Sequence, residues 1–452
     1  MECFTVMSNE IEGRLDPFYY KPEFRELKRI LLSKKIEKLG DIASFQYGLN
    51  ETAKEKGDIF YIRITDIDEE GLLKKDEIAY LNYKPEYSNY KLTKGDILIA
   101  RIGATFGKSF YFNENLEAVF AGYLIRIKLK DKKVNPKFLF YFFQTKYFKN
   151  QAKMLVKGGA QPQFNANTIK DLLIPILSLE TQNRIVALMD KAYQSKKSKE
   201  AEAQKLLDSI NDYVLDELGI KMPELKDKMV YVVNSDDVKG KRIDAYYYQP
   251  KFEEVEKAIK RGKYEVRELK EFITKIHYGA SVKNEYVNEG IPLLRIMNLK
   301  PNKFDLKDIV KLPETMKKDL GNAFVKEGDL LISRSGTVGM VSVVPKEAEG
   351  FAFGSFMIKF CLNDKINKNY ISAWLNTKLQ KLLTEREKIG AIQGNITIET
   401  IENFKIPLPP LSIQNKIADE VKRRIQKAEQ LQKEAKEELE KAKQEVEKII
   451  LG

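Results

Sequence analysis

At 452 residues, 43% hydrophobic, 10% aromatic and 32% charged, the chain is too long for one ordinary core and too apolar for a disordered one. Two to four globular units are therefore expected. The 78 Lys+Arg against 66 Asp+Glu leave a net charge of +12, which favours a polyanionic partner such as nucleic acid without requiring one.

The opening residues, MECFTVMSNE, lack the basic start and apolar core of a secretory signal. Cys3 and Cys361 lie far apart with no partner cysteines, so neither a disulfide framework nor a thiolate zinc site is indicated. A cytoplasmic location is expected. Next comes GRLDPFYYKPEF (Gly13 to Phe24), an aromatic cluster behind an Asp. Short runs follow: FQYGLN around Tyr47 and Gly48, FYIRITDI around Arg63, and KGDILIARIGATFGK from Lys94 to Lys108. β-rich segments broken by Gly-containing turns, with a few helical stretches, predict a compact mixed α and β domain. The apolar stretch Phe138 to Phe143 is bounded by Lys137 and Lys146 and falls far short of the roughly 18 residues of a membrane span, so no membrane is expected as a partner. After GGAQPQFNANTIKDLLIPILSLETQNRI (Gly158 to Ile185) a long charged helix runs towards Gly219, a residue suited to the turn that follows a helix.

From residue 230 the chain starts again. KRIDAYYYQPKF (Lys241 to Phe252) restates the opening motif, IHYGAS around Tyr278 and Gly279 restates FQYGLN, and LLRIMNL around Arg295 restates FYIRITDI. EGDLLISRSGTVGM (Glu327 to Met340) sets Arg334 opposite Arg101, with one residue fewer between the glycines. GAIQGNITIETIENFKIPLPPLSIQNKI, ending at Ile417, leads into a second charged helix that closes at Gly452. Residues 3 to 219 and 230 to 452 thus read as two copies of one pattern.

The second helix carries a stripe of Ile413, Ile417, Val421, Ile425, Ala428, Leu431, Ala435, Leu439, Ala442, Val446 and Ile449, averaging one helical turn per step. Such a stripe on an otherwise charged helix requires one partner helix along its length. The first helix offers Ile185, Met189, Ala192, Ala203, Leu206, Ile210 and Val214. Its middle, QSKKSKE, is polar where the other copy has QKAEQLQ, so the seam is expected to be weakest there or completed by another protein.

Catalytic signatures are missing. Asp16-Pro17-Phe18-Tyr19 approaches the D/N-P-P-Y motif of amino-methyltransferases but lacks its second Pro, and Ala245 replaces Pro17 in the other copy, so a structural role is expected. Neither G-x-G-x-x-G after a strand nor G-x-x-x-x-G-K-[ST] occurs, so no cofactor is expected. His277 is the single histidine, which excludes a His-clustered metal site.

These motifs resemble the specificity subunit of Type I restriction–modification systems over nearly the whole chain. The resemblance rests on GDILIARIGATFG and GDLLISRSGTVG, on the helix entries IPILSLETQNRIV and IPLPPLSIQNKIA, and on the paired D-x-aromatic-Tyr-Tyr-x-Pro openings. It implies an α+β fold with two pseudo-symmetric target-recognition domains, 1–178 and 220–411, separated by two long antiparallel helices, 179–219 and 412–452, as a coiled-coil-like spacer. Each domain would read half of a bipartite double-stranded DNA target, and the helices would fix the half-site spacing. The helices and nearby surfaces would dock methyltransferase subunits, two of them. Those partners, with restriction and translocase subunits in the full complex, would carry the chemistry, leaving this chain without a catalytic residue.

Arg suits the O6 and N7 acceptors of guanine, Asn and Gln suit adenine, and Lys mostly meets phosphate. By that rule the candidates in the first copy are Gln46, Tyr47, Asn50, Lys54, Arg63, Arg101, Thr105, Lys108, Gln161 and Gln163. In the second copy they are Tyr278, Ser281, Lys283, Asn284, Arg295, Arg334, Ser335, Thr337, Gln393 and Asn395. For Arg63 and Arg295 a salt bridge or a bond to the backbone is an equal alternative. Arg101 and Arg334, just past a strand in a Gly turn, would present a guanidinium at a domain edge.

Overall fold

The computed structural model describes residues 4–8, 11, 15–74, 78–156, 164–239, 242–282, 285–389 and 394–451. It forms two compact units, one of residues 1–199 with 432–452 and one of 200–431. Both are α+β and repeat one plan.

In the first unit, Pro22–Leu32 is a helix opened by Pro at its first turn, with Phe24, Leu27 and Leu31 on its buried face. An antiparallel sheet follows in the order Ala43–Tyr47, Leu124–Leu129, Ile97–Ala100, Ser109–Tyr111. Strand Ile97–Ala100 is buried at every position because both faces of this sheet are covered. Successive side chains point to opposite faces, so Ile97, Ile99, Ile125 and Ile127 enter one core while Leu98, Ala100 and Leu124 enter another. A smaller sheet pairs Ile59–Ile62 antiparallel with Ala79–Leu81 and parallel with Ala118–Phe120. The apolar run noted in the sequence is helix Pro136–Phe142, capped by the Asn135 side chain on Lys137 N and buried from Phe138 to Phe142.

The second unit has the same parts. Its larger sheet runs Ile273–Tyr278, Met357–Leu362, Leu330–Ser333, Val341–Val343, and its smaller one joins Ile291–Leu294 to Val310–Leu312 and Ala352–Phe353. Leu330, Ile332, Ile358 and Phe360 face one core, and Leu331 and Met357 the other. A short hairpin, Leu299–Lys300 with Lys303–Phe304, turns through Asn302 at φ 61°. Helix Lys368–Leu375 replaces Pro136–Phe142 and buries Trp374 completely.

Two long helices, Leu179–Leu218 and Leu411–Leu451, each contribute to both units. In the first unit, Ile185, Met189 and Ala192 share a core with Leu439, Ala442, Val446 and Ile450. In the second, Val214, Leu215 and Leu218 share a core with Ile417, Val421 and Ile425, so the start of each helix lies with the end of the other and the pair is antiparallel. The stripe finishes on the buried Ile450, with Ile449 only partly covered. The polar middle is bridged rather than open: Ser195 donates to Glu438 at 2.7 Å and Lys199 pairs with Glu434 at 3.0 Å and with Glu438. Gly219 ends the first helix at φ 64°, while Gly452 lies outside the described residues.

The repeated Gln-Asn at each helix entry is a lock. Gln182 is fully buried, accepts from Asn135 N at 2.7 Å and donates to Lys133 O and Leu177 O. Gln414 accepts from Asn367 N at 2.8 Å and donates to Pro409 O. Asn183 and Asn415 each receive the side-chain amide of the same Asn135 or Asn367. A buried amide is tolerated only when its groups are paired, so these bonds tie each domain to the first turn of its own helix. The opposite helix adds a second tie, Glu447 accepting from Lys146 N in the first unit and Asn211 from Lys378 N in the second. Asp16 and Asp244, from the motif that approached a methyltransferase signature, each cap a turn by accepting from the backbone N of Tyr19 and Tyr247.

Candidate nucleic-acid interface

One constellation occurs in both units. Strand Ala43–Tyr47 ends on Tyr47 and strand Ile97–Ala100 ends just before Arg101, which places the Arg101 guanidinium 5.2 Å from the Tyr47 ring centroid. Strand Ile273–Tyr278 ends on Tyr278, and Arg334, following Leu330–Ser333, lies 4.7 Å from its ring. A cation over an aromatic face is attracted by the ring quadrupole, which holds the guanidinium plane without using its donors. Each Tyr hydroxyl accepts a backbone N–H from the start of a short helix, from Ala166 at 3.1 Å and from Ile398 at 3.4 Å. Each Arg carbonyl accepts from the segment just before that helix, from Phe164 N and from Ile396 N.

Glycines make the close approaches possible. A Cβ on Gly48 would lie 2.3 Å from Ala121 O, and one on Gly279 would lie 2.2 Å from Gly354 O, so no side chain fits at either. After each Arg the turn uses two left-handed glycines, Gly103 and Gly107 at φ 72° and 81°, Gly336 and Gly339 at φ 71° and 81°. The one-residue deletion between them leaves both conformations intact.

The two arginines differ in what remains free. Arg101 Nε donates to Gly122 O at 2.9 Å, whereas Arg334 Nε is buried and has no partner. Thr105, Thr337, Asn50, Lys54 and Ser281 are exposed, while Ser335 is buried. Asn395 pairs by its backbone with Ile389. Gln161, Gln163, Lys283, Asn284 and Gln393 lie outside the described residues.

Four other candidates spend polar atoms inside the domain. Gln46 accepts from Arg126 Nη2 and donates to Asn89 O. Arg63 forms an ion pair at 2.7 Å with the buried Asp66, which also accepts from Arg63 N. Arg295 donates to Asp308 O at 2.9 Å, its Nε being buried without a partner. Lys108 pairs with Glu69 at 2.8 Å. For both Arg63 and Arg295 the structural alternative is the one these bonds describe.

Tyr123 and Phe356 are not among the candidates the sequence suggests. They occupy equivalent places in FAGYLI and FGSFMI, are 55% and 53% exposed, and accept through their carbonyls from Arg101 N at 3.1 Å and Arg334 N at 2.9 Å. Their recurrence was readable; their exposure was not, since an aromatic at the start of an apolar strand reads as core.

A sequence model of the Type I restriction modification DNA specificity domain matches residues 33–208 and 261–441. The chain is 26% identical over 462 aligned positions to the putative type I restriction enzyme MjaX specificity subunit of Methanocaldococcus jannaschii, covering 96% of this chain and 97% of that one. It is 23% identical over 398 positions to the type I restriction enzyme MjaVIII specificity subunit of the same organism, covering 83% of each. A chain from a solved structure concerned with complex assembly of the type I R-M system superposes with a TM-score of 0.52 at 18% identity, over 92% of this chain and 96% of the other, a likeness of fold. The two matched segments span most of the sequence, and with them the chain belongs to the Type I restriction–modification DNA specificity family, as a two-domain specificity subunit rather than an enzyme.

Proposed function

We propose that each unit reads one half of a bipartite double-stranded DNA target and that the paired helices set the half-site spacing. The observation that carries this is the twofold recurrence of a Tyr-held arginine at a strand end, Arg101 over Tyr47 and Arg334 over Tyr278, in a chain of net charge +12. An arginine fixed by stacking keeps its fork available for guanine O6 and N7. Exposed lysines such as Lys54 supply phosphate contacts, and binding weakens steeply with salt as counterions are released. The long helices and nearby surfaces dock two methyltransferase subunits, which supply methyl transfer, and restriction and translocase subunits complete the assembly. The work is intracellular, in a cytoplasm where the DNA lies.

The test is to co-express the chain with a partner methyltransferase and map the DNA positions that become methylated. Two short sequences separated by a fixed unread gap are expected. Exchange of residues 14–175 for the matching region of a relative should change one half-site only. Deleting seven residues from both helices shortens the rod by about 10 Å, so the gap should contract by about three base pairs. A gap unchanged in that variant refutes the spacer role, and a chain that retains no DNA sequence-selectively is a protein scaffold instead.

A further inference from the structure

We infer that Tyr123 and Phe356 are base-stacking wedges, one per half-site, whose rings enter the DNA stack beside the base contacted by the neighbouring arginine. The inference rests on the DNA-reading role proposed above.

Both rings stand more than half exposed in otherwise well-packed units. A single exposed aromatic needs no explanation, because folded surfaces contain many. Here two copies of a domain have diverged in much else around the same turn: Ala121-Gly122 has become Gly354-Ser355, and Leu124 has become Met357. Yet each keeps an aromatic ring at this position and keeps it in solvent. Two further exposed aromatic pairs of the repeat are accounted for inside the fold: Tyr47 and Tyr278 lie against the arginines, and Phe18 and Tyr246 each lie 5.3 Å edge-on to Phe24 or Phe252.

Placement gives the exposed rings their task. Each follows a turn pressed against Gly48 or Gly279, and its backbone carbonyl is hydrogen-bonded to the Arg101 or Arg334 amide, so the two residues start from paired backbone positions at one sheet edge. The cation and its Tyr form one stacked pair, and Tyr123 or Phe356, joined to that arginine through the backbone, remains exposed. An open aromatic face next to a guanidinium offers a base both π-stacking and a polar edge contact. Stacking is indifferent to base identity, so the ring would add affinity and a local opening of the helix while the arginine adds specificity.

The experiment uses the full chain co-expressed with its methyltransferase and a duplex carrying the methylation-mapped target, with 2-aminopurine placed at successive positions of each half-site. Compared with wild type, Tyr123→Leu should lose a fluorescence increase in the first half-site only and Phe356→Leu in the second only, each with roughly tenfold weaker binding. Tyr123→Phe and Phe356→Trp should retain both signals. Melting curves matching the wild type are expected for all four variants, because the side chains are exposed. Leucine variants that bind and fluoresce like wild type overturn the wedge, as do weakened binding with every 2-aminopurine signal unchanged, and an equal loss in the ring-retaining variants. If the wild-type complex retains no mapped bipartite duplex, the DNA-reading role itself fails, an outcome separate from these.

Discussion

The centres of the two large sheets solve one problem with different residues. In the first unit, Asp96 is 2% exposed and caps its own turn through Thr93 N, while Arg126 spreads its fork over Asp96, Lys91 O, Asn89 O and Gln46. In the second unit, Asp329 caps Lys326 N in the same way, but its cation is Lys359, 3.2 Å away. A lysine is a point charge and reaches fewer acceptors than a guanidinium, so the remaining places are filled separately. Cys361 donates to Asp329 at 3.1 Å, and burial pushes its thiol up to about 11, leaving it protonated and inert. His277, at the position of Gln46, turns to Asn322 O at 3.1 Å instead. The role of a buried carboxylate–cation pair persisted through divergence while its chemistry changed, whereas at the strand ends the identities Tyr and Arg themselves persisted.

That contrast can be broken most forcefully in the cores. Trp374→Ala and Phe142→Ala remove equivalent, fully buried rings and should each cost about 3–5 kcal/mol, with the Trp change larger because its Nε1 bond to Lys405 O at 3.0 Å is also lost. Chemical denaturation followed by limited proteolysis should show the damage confined to the unit that carries the change; equal loss in both would mean the units do not unfold separately.

Next come the locks. Each group left unpaired by Gln182→Ala or Gln414→Ala should cost about 1–3 kcal/mol, and Gln182 serves three partners where Gln414 serves two. Hydrogen exchange at Asn135 and Asn367 would report the release, and faster exchange at Asn367 than at Asn135 across the two variants would contradict that ranking. Smaller again are the arginines proposed to read DNA, where Arg334→Ala and Arg101→Ala should each relax one half-site by about tenfold with global stability kept. Competition binding with half-site mutants checks this, and relaxation at both half-sites in one variant would contradict separate readers.

The smallest difference is in acid sensitivity. Burial, and then the charge of Lys359, hold His277 below its ordinary value of 6.5. As pH falls through that value the unfolded chain takes up a proton that the folded chain resists, so the stability of the second unit declines in that window. His277→Gln, which copies Gln46, should flatten the decline. Urea midpoints measured at about pH 7.5 and about pH 5.5 would show it, and an unchanged slope would remove His277 as the source.

Much of the Tyr–Arg edge proposed to read DNA was legible beforehand. Tyr47, Arg101, Tyr278 and Arg334 could be picked out because an arginine after an apolar run and between glycines has few buried uses, and because each occurs twice. Gln46 and Lys108 also looked suited to DNA, and Arg63 and Arg295 were balanced between DNA and a structural bond, since a polar side chain at a strand end or turn carries no mark of its partner. Asp66, Arg126, Asp308 and Glu69, which engage them, are distant in sequence or indistinguishable from surface residues there.

Periodicity and duplication, being local and repeated, were enough to establish the α+β class, the doubled plan and the two long amphipathic helices. Which polar groups stay open for a ligand depended on long-range hydrogen bonds and on burial, and so did the placing of Tyr123 and Phe356 in solvent. Those properties exist only once distant segments are packed together, and no single stretch of the chain contains them.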